Sequence, residues 1–162
     1  GTSRPRPRGT EFNLEQQRTM NATVPETIRT IIAQAGGQRI SGAFAYVGAR
    51  KLTYRCARLE GEFRSSRDSR LRTDLAMPFV DYEVGLQFQV NGKRGRVWTM
   101  IVAYEPNDTY TAWLVEGRRR RGQLGLKELA CARDVYCDTL KGVIEAVYDR
   151  AIRDHNDGFI PM

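Results

Sequence analysis

The sequence predicts a single small α+β domain: an antiparallel sheet of about five strands, with a short N-terminal helix and a long C-terminal helix packed on one face. Three observations predict it. Residues 82–90 alternate strictly between apolar and polar side chains, two further strands follow at hairpin spacing, and helical periodicity marks both ends of the chain. With 162 residues, 41% hydrophobic and 28% charged, the chain has the composition of one ordinary globular domain.

The first element is a helix over residues 24–35. Thr23 and Glu26 have the spacing of a capping box, in which the two side chains satisfy backbone donors at a helix start. Apolar residues then recur at helical spacing, and Gly36 and Gly37 supply a stop.

Two strands are predicted next, over residues 39–47 and 52–59, joined by a tight turn at residues 48–51. The first is rich in small side chains, which weaken a strand but let another element approach the sheet closely. Residues 60–78 mix arginines with serines and aspartates. We expect a loop there, because too few apolar residues are present to anchor it.

A three-stranded meander follows, and its first strand is residues 82–90. Asn91 and Gly92 begin a hairpin turn, and residues 97–104 return as a strand that is apolar on both sides. Residues 106–108 form the next turn, and residues 110–115 form the third strand. Hairpin-length connections predict that the sheet is antiparallel.

A long helix is predicted over residues 126–154, after a crossing at residues 117–125. Its apolar stripe has helical spacing, residues 156–158 end it, and a break near Cys137 is the alternative to a continuous helix. We expect the apolar tail, residues 159–162, to pack back on the body. The resulting outline resembles helix-grip, cystatin-like and secretion-chaperone-like architectures, but no motif identifies a family.

Residues 1–19 show no periodicity and precede Met20, so we expect a leader or disordered segment there and the folded domain at residues 20–162. The alternative is a native basic arm with Arg-Pro repeats that contacts nucleic acid. No apolar run is long enough to span a membrane, and no signal-peptide core is present. We therefore expect a cytoplasmic protein with no membrane partner.

No catalytic, metal or cofactor site is predicted. His155 is the only histidine, and we expect it to face solvent at a helix end. The three cysteines, Cys56, Cys131 and Cys137, form neither a disulfide framework nor a zinc motif, and we expect buried, unreactive thiols. Four carboxylates are predicted to share one face of the long helix: Asp134, Asp138, Glu145 and Asp149. Lys141 and Arg153 lie four residues from Glu145 and Asp149, so we expect ordinary ion pairs on a solvated surface.

The sharpest local feature is a run of four arginines: Arg118, Arg119, Arg120 and Arg121. Of the net charge of +7, this run contributes four and residues 1–19 contribute two, so the rest of the chain is nearly neutral. The predicted position, at the start of the long helix, favours a bound anion, with phosphate as the natural candidate. The arginines of residues 64–72 would extend the patch if they fold nearby. The alternatives are a solvated turn and an acidic protein partner.

The second feature is the apolar character of both sides of residues 97–104 and 110–115. If the helices cover one face of the sheet, the other face needs a different cover. One set of residues that could form this second face is aromatic or apolar: Trp98, Met100, Tyr104 and Trp113. A ligand pocket, a second subunit and plain core are the three explanations, because large exposed apolar patches are rare on monomers.

These observations lead to three functional hypotheses. The first is a non-enzymatic binding protein that acts as a homodimer or holds a small apolar ligand in a pocket. The second is a nucleic-acid or phosphate-binding module that uses the arginine run. The third is an enzyme of unknown type with a site in the curved sheet, for which no motif in the sequence argues.

Overall fold

A computed structural model describes residues 22–65, 67–75, 82–92, 96–120 and 123–155. The predicted leader at residues 1–19 and the predicted apolar tail at residues 159–162 lie outside the described residues. Eleven elements follow one another along the described chain: α1 (Glu26–Gln34), α2 (Ala43–Val47), β1 (Arg50–Cys56), β2 (Leu59–Phe63), β3 (Ser69–Leu71), β4 (Val84–Val90), β5 (Val97–Tyr104), β6 (Tyr110–Arg120), β7 (Gln123–Val135), a 3₁₀ turn (Cys137–Thr139) and α3 (Leu140–Asp154).

The fold is α+β with one antiparallel sheet, as predicted, but the sheet has seven strands rather than about five. Their spatial order is β3-β2-β1-β4-β5-β6-β7, and every neighbouring pair is antiparallel. The chain runs outward from β1 to β3, returns to the other side of β1 as β4, and continues outward to β7. The described strands therefore end alternately at two opposite ends of the sheet.

The helices pack on one face of this sheet and form the main core. α1 lies against β1 and β4, while α3 packs on β6 and β7 and contacts α2. The largest buried side chains of this core come from the strands and from both long helices, and they include Tyr54, Phe88, Trp98, Ile28 and Ile144. This burial of apolar surface is the dominant stabilising term.

The first helix confirms the prediction in position but not in its start. Pro25 is the N-cap, and no side chain caps α1. Thr23, the predicted capping residue, instead forms a β-bridge with Asp68. The predicted glycine stop is present: Gly36 and Gly37 have positive φ angles of 98° and 59°, a conformation that favours glycine.

The predicted strand at residues 39–47 is wrong, because residues 43–47 form the short helix α2. Gly42 caps its start, and Gly48, with φ of 67°, ends it in the left-handed conformation. A β-carbon on Gly48 would lie 2.1 Å from the end of the Asn91 side chain, which would have to move to make room. Ala43, Phe44 and Val47 then face the core from a helix rather than from a strand.

The predicted loop at residues 60–78 is also wrong in part, because it contains most of β2 and all of β3. Ser69 is fully buried, and its hydroxyl lies 2.6 Å from the Tyr54 hydroxyl. Its backbone N–H also bonds to the Ala22 carbonyl at 2.7 Å. A few long-range contacts thus replace the local apolar pattern that the sequence lacks.

The largest correction concerns the predicted helix over residues 126–154. Residues 123–135 form strand β7, and only Leu140–Asp154 is helical. A register shift after Leu114, where Val115 pairs with Glu128 and Leu114 with Ala130, leaves Leu129 as an extra residue. This bulge shifts the phase of the strand alternation, and the shifted spacing of leucines and alanines imitates a helical stripe. The strands predicted at residues 82–90, 97–104 and 110–115 are confirmed, with β6 extended to Arg120.

Candidate functional site

The arginine run does not precede a helix, which corrects the predicted position. Arg118, Arg119 and Arg120 end β6 and pair with Gly125, Leu124 and Gln123 of β7. Arg121 lies outside the described residues. β5 begins at Val97, which pairs with Gly117, so the three described arginines lie where β6 and β7 continue as a two-stranded ribbon. Helix-dipole repulsion is therefore absent from this site, because the three residues belong to a strand pair.

The strand order brings further basic residues to the same end of the sheet. β1 starts there, the β2–β3 turn lies there, and the β4–β5 connection returns there. We call this group the basic end; its described members are Arg50, Lys51, Arg64, Arg67, Arg96, Arg118, Arg119 and Arg120. Asp68 lies in these segments too, and the carboxylate of the neighbouring Glu116 pairs with Arg96. Of the arginines at residues 64–72, Arg64 and Arg67 lie at this end of the sheet.

The predicted aromatic face is divided by the sheet. Trp98, Met100 and Tyr104 lie on the helix side, where Trp98 and Met100 are fully buried. Trp113 pairs with Ile101 and lies on the opposite side, in a second cluster with Tyr82. The four residues therefore do not form one exposed surface. Both sides of β5 and β6 are buried within a single chain, so the burial of these side chains requires no second subunit.

A buried carboxylate anchors the core near the basic end. Glu116 is 2% exposed, and its Oε2 accepts a hydrogen bond from the indole N–H of Trp98 at 2.9 Å. The guanidinium of Arg96 lies 3.6 Å from Oε1 of the same carboxylate. A buried carboxylate requires such partners, because burial without them would cost several kcal/mol. Glu116 is therefore a structural group that orders Trp98 and draws Arg96 to this end.

One groove lies beside the basic end, between α1, α2 and the first hairpin, and has a volume of about 420 Å³. We call it the apolar groove. Its walls include Ile32, Phe44 and Phe63, and its lining also contains the cationic residues Lys51 and Arg64. Apolar walls with few charged groups are typical of small-molecule sites. Nothing in the sequence pattern predicts this groove, because Phe44 was expected in a strand and Lys51 in a hairpin turn.

A second groove, of about 430 Å³, lies at the other end of the sheet, and we call it the tyrosine groove. The rings of Tyr104 and Tyr110 pack edge to face, with centroids 5.5 Å apart. The Tyr104 hydroxyl donates a hydrogen bond to Asp108, and the Tyr110 hydroxyl donates one to Gln34 Oε1 at 2.6 Å. Burial raises the pKa of Tyr110 to about 12. The pattern of two tyrosines around a turn aspartate was visible in the sequence, but only the fold opens a groove there.

The predicted row of carboxylates on the C-terminal helix is wrong for two members. Asp134 lies in β7 and Asp138 in the 3₁₀ turn, because the helix begins only at Leu140. Glu145 does pair with Lys141, at 3.3 Å, as predicted. Asp149 instead accepts a hydrogen bond from the Tyr46 hydroxyl at 2.8 Å, which raises the pKa of Tyr46. These are ordinary surface contacts.

His155 and the cysteines also differ from prediction in detail. The His155 ring is partly buried, and its Nε2 lies 3.1 Å from the Leu129 carbonyl at the β7 bulge. Cys56 and Cys131 are half-buried, and burial raises the pKa of both thiols, whereas Cys137 is exposed. All three are free thiols. Over the described ranges, no three His, Cys, Asp or Glu residues lie close enough to hold a metal ion.

The helices in the described part of the chain are too short or too polar to cross a membrane. Comparison with protein-family models, with curated proteins and with solved structures gave no match for this chain. Three geometric features of the chain bear on its function: the basic end, the apolar groove and the tyrosine groove.

Proposed function

We propose that this protein binds nucleic acid through the phosphate backbone, using the basic end. The observation that carries the proposal is the convergence of four separate segments, with eight basic residues, on one end of the sheet. In sequence these residues span positions 50–120, so local composition does not explain their grouping.

The form of the basic end supports a nucleic acid over a small anion. A two-stranded ribbon is narrow enough to enter the major groove of a duplex. Arginine binds phosphate oxygens through two parallel hydrogen bonds. We propose contacts to phosphate groups and none to base edges. We therefore expect the protein to bind duplexes of any base sequence.

The test replaces Arg118, Arg119 and Arg120 with glutamine and measures binding to a duplex of about 20 base pairs at several salt concentrations. We expect roughly ten-fold weaker binding, because each exposed ion pair contributes up to about 1 kcal/mol. The slope of log affinity against log salt should fall by about 2 to 3, since each phosphate contact contributes about 0.9 to it.

A matched control replaces three exposed arginines outside the basic end, Arg58, Arg133 and Arg150, with glutamine. It removes the same charge, so a loss of affinity equal to that of the first variant would show that net charge, not the basic end, attracts the duplex. Binding that ignores both salt and the Arg118–Arg120 substitutions would contradict the proposal. If heparin competes for binding as well as unlabelled duplex does, the proposed function extends to polyanions in general.

The second candidate function is a small-molecule binding protein that uses the apolar groove. Apolar walls beside Lys51 and Arg64 fit a ligand with an apolar body and an anionic head, such as a fatty or aromatic acid. This candidate keeps the ligand-pocket hypothesis drawn from the sequence but moves it from the sheet face to the edge between α1 and β2.

Native mass spectrometry, compared with the denatured chain, tests this candidate and the predicted homodimer together. Added mass that disappears on denaturation supports a pocket ligand, and a Phe63→Ser substitution should then reduce its retention, whereas an exposed Leu59→Ser substitution should not. A two-chain mass supports the homodimer. A bare monomer that also fails to bind the fluorescent apolar anion anilinonaphthalene sulfonate would contradict both.

A further inference from the structure

We propose that the tyrosine groove is a binding site for an organic ammonium ion, separate from the proposed nucleic-acid interface. The groove lies between α1 and the turn that joins β5 to β6, at the end of the sheet opposite the basic end. Its volume of about 430 Å³ falls in the range of small-ligand sites.

The walls provide the aromatic contact that an ammonium ion requires. Tyr104 and Tyr110 pack edge to face, and because Tyr110 is buried, the half-exposed Tyr104 ring is the one that a ligand in the groove can reach. A cation is attracted to the negative face of an aromatic ring within about 6 Å of its centre. The Tyr104 hydroxyl donates its proton toward the Asp108 carboxylate, and this polarisation makes the ring more electron-rich.

The charges of the lining favour a cation. Glu26 and Asp108 contribute two carboxylates, and none of the described residues that line the groove is basic. Glu26 occupies the first turn of α1, where it offsets the partial positive charge of the helix start. A simple metal ion is a poor occupant, because two separated carboxylates and two phenols do not provide the six or more oxygen ligands that calcium requires.

The hydrogen-bond pattern also fixes the shape of the groove before any ligand arrives. Tyr110 is held by Gln34 of α1, and Tyr104 is held by Asp108 of the turn. Each ring is thus held in place by a group on its own wall of the groove. This lowers the entropy that is lost when a ligand binds. The chemistry that fits is an alkyl or methylated ammonium group on a short apolar or polar chain.

Isothermal titration calorimetry with choline, at low salt, tests the proposal on the full chain. The control ligand is 3,3-dimethylbutan-1-ol, which has the shape of choline without its charge. We expect choline to bind roughly ten-fold more tightly than the neutral compound, as the size of cation–π and carboxylate attraction indicates. Equal affinities, or no heat from choline at millimolar concentration, would overturn the proposal.

The decisive variant is Asp108→Asn. Asp108 has a positive φ of 63°, a conformation that asparagine also tolerates, so the turn should keep its shape while losing its charge. Asp134→Asn is the matched control, because Asp134 is exposed, has φ of 55° and lies in β7 outside the groove lining.

We expect Asp108→Asn to weaken choline binding roughly ten-fold and Asp134→Asn to leave it unchanged. Neither variant should alter the affinity for duplex DNA, so failure of this site and failure of the proposed function remain distinguishable. Tyr104→Leu, which removes the ring, provides the second arm if Asp108→Asn alters the thermal unfolding curve. Retained choline affinity in both folded variants would place the ammonium ion elsewhere and refute the site.

Discussion

At the scale of single residues, the most informative side chain is Glu116. It combines burial, a hydrogen bond from the Trp98 indole and an ion pair with the more exposed Arg96. The sequence placed this glutamate at the end of an apolar strand with no indication of burial. Cross-strand pairing with Trp98 brings the two side chains onto one side of the sheet, and the indole N–H then requires an acceptor.

We expect Glu116→Leu to lower the free energy of unfolding by about 1–3 kcal/mol, because the buried indole N–H loses its acceptor. Glu116→Gln should cost less, since an amide oxygen accepts the same hydrogen bond while the ion pair with Arg96 is lost. Urea unfolding followed by tryptophan fluorescence checks both. Equal losses in the two variants would show that charge, rather than the indole contact, is what Glu116 contributes.

At the scale of elements, β7 shows how an edge strand is kept from pairing with other chains. It is 13 residues long and lies at the edge of the sheet. Its ladder is interrupted at Leu129 and again near Asp134, which has a positive φ, and Lys127 and Arg133 are exposed on it. Bulges and edge charges are recognised barriers to edge-to-edge association. The other edge strand, β3, has only three residues.

The β6–β7 ribbon should be the least stable part of the sheet. Its tip pairs with one neighbour only, whereas Trp113, Leu114 and Val115 are held between β5 and β7. We expect backbone amides at residues 118–120 to exchange with deuterium roughly 100-fold faster than those at residues 113–115, as local opening requires less free energy than global unfolding. Hydrogen exchange measured by NMR checks this.

Added duplex DNA should slow exchange at this tip if the proposed function is right, while the amides at residues 113–115 serve as the internal reference. Equal protection at both positions in the free protein would show that the ribbon is as rigid as the central sheet. Unchanged protection of the tip in the presence of saturating duplex would instead place the nucleic acid elsewhere.

At the scale of the whole molecule, charge is separated along the strand direction. One end of the sheet carries the eight residues of the basic end, and the described segments at the opposite end carry more acids than bases. Its carboxylates are Asp74, Glu83, Glu105, Asp108 and Asp138, against Arg58 and Arg72. A molecule with this distribution should orient in the field of a polyanion with the basic end forward. The tyrosine groove then stays accessible at the far end.

The stability of the whole fold should fall at alkaline pH because of buried tyrosines. Burial raises the pKa of Tyr82 and of Tyr110 to about 12, above the ordinary value of 10.0. The folded state thus favours the neutral phenols. Their contribution is complete below pH 10 and is lost as the pH rises from 10 towards 12.

Urea unfolding midpoints measured across this pH range check the effect. A Tyr82→Phe, Tyr110→Phe double variant should show a shallower fall, because phenylalanine does not ionise. Tyr110→Phe also removes the hydrogen bond to Gln34, so the comparison concerns the slope with pH and not the absolute midpoint. Identical slopes in the two proteins would mean that other groups control the alkaline transition.

The sequence by itself determined the fold class, the helix before Gly36 and the central meander. The reason is that these features depend on short-range patterns: alternation over residues 82–90, helical spacing over residues 24–35, and turn residues between them. The concentration of charge at Arg118 to Arg121 was equally visible, because it needs no structure to be counted.

Only the tertiary structure decided what residues 123–135 become and which loops meet. Leucines and alanines there satisfy a helical stripe and a bulged strand equally well, and ten paired positions with β6 select the strand. In the same way, Gly42 and Gly48 admit either a weak strand or a short helix, and packing of Phe44 against Phe88 accompanies the helix. The basic end and both grooves depend on strand order, which follows from long-range pairing between residues that local sequence does not connect.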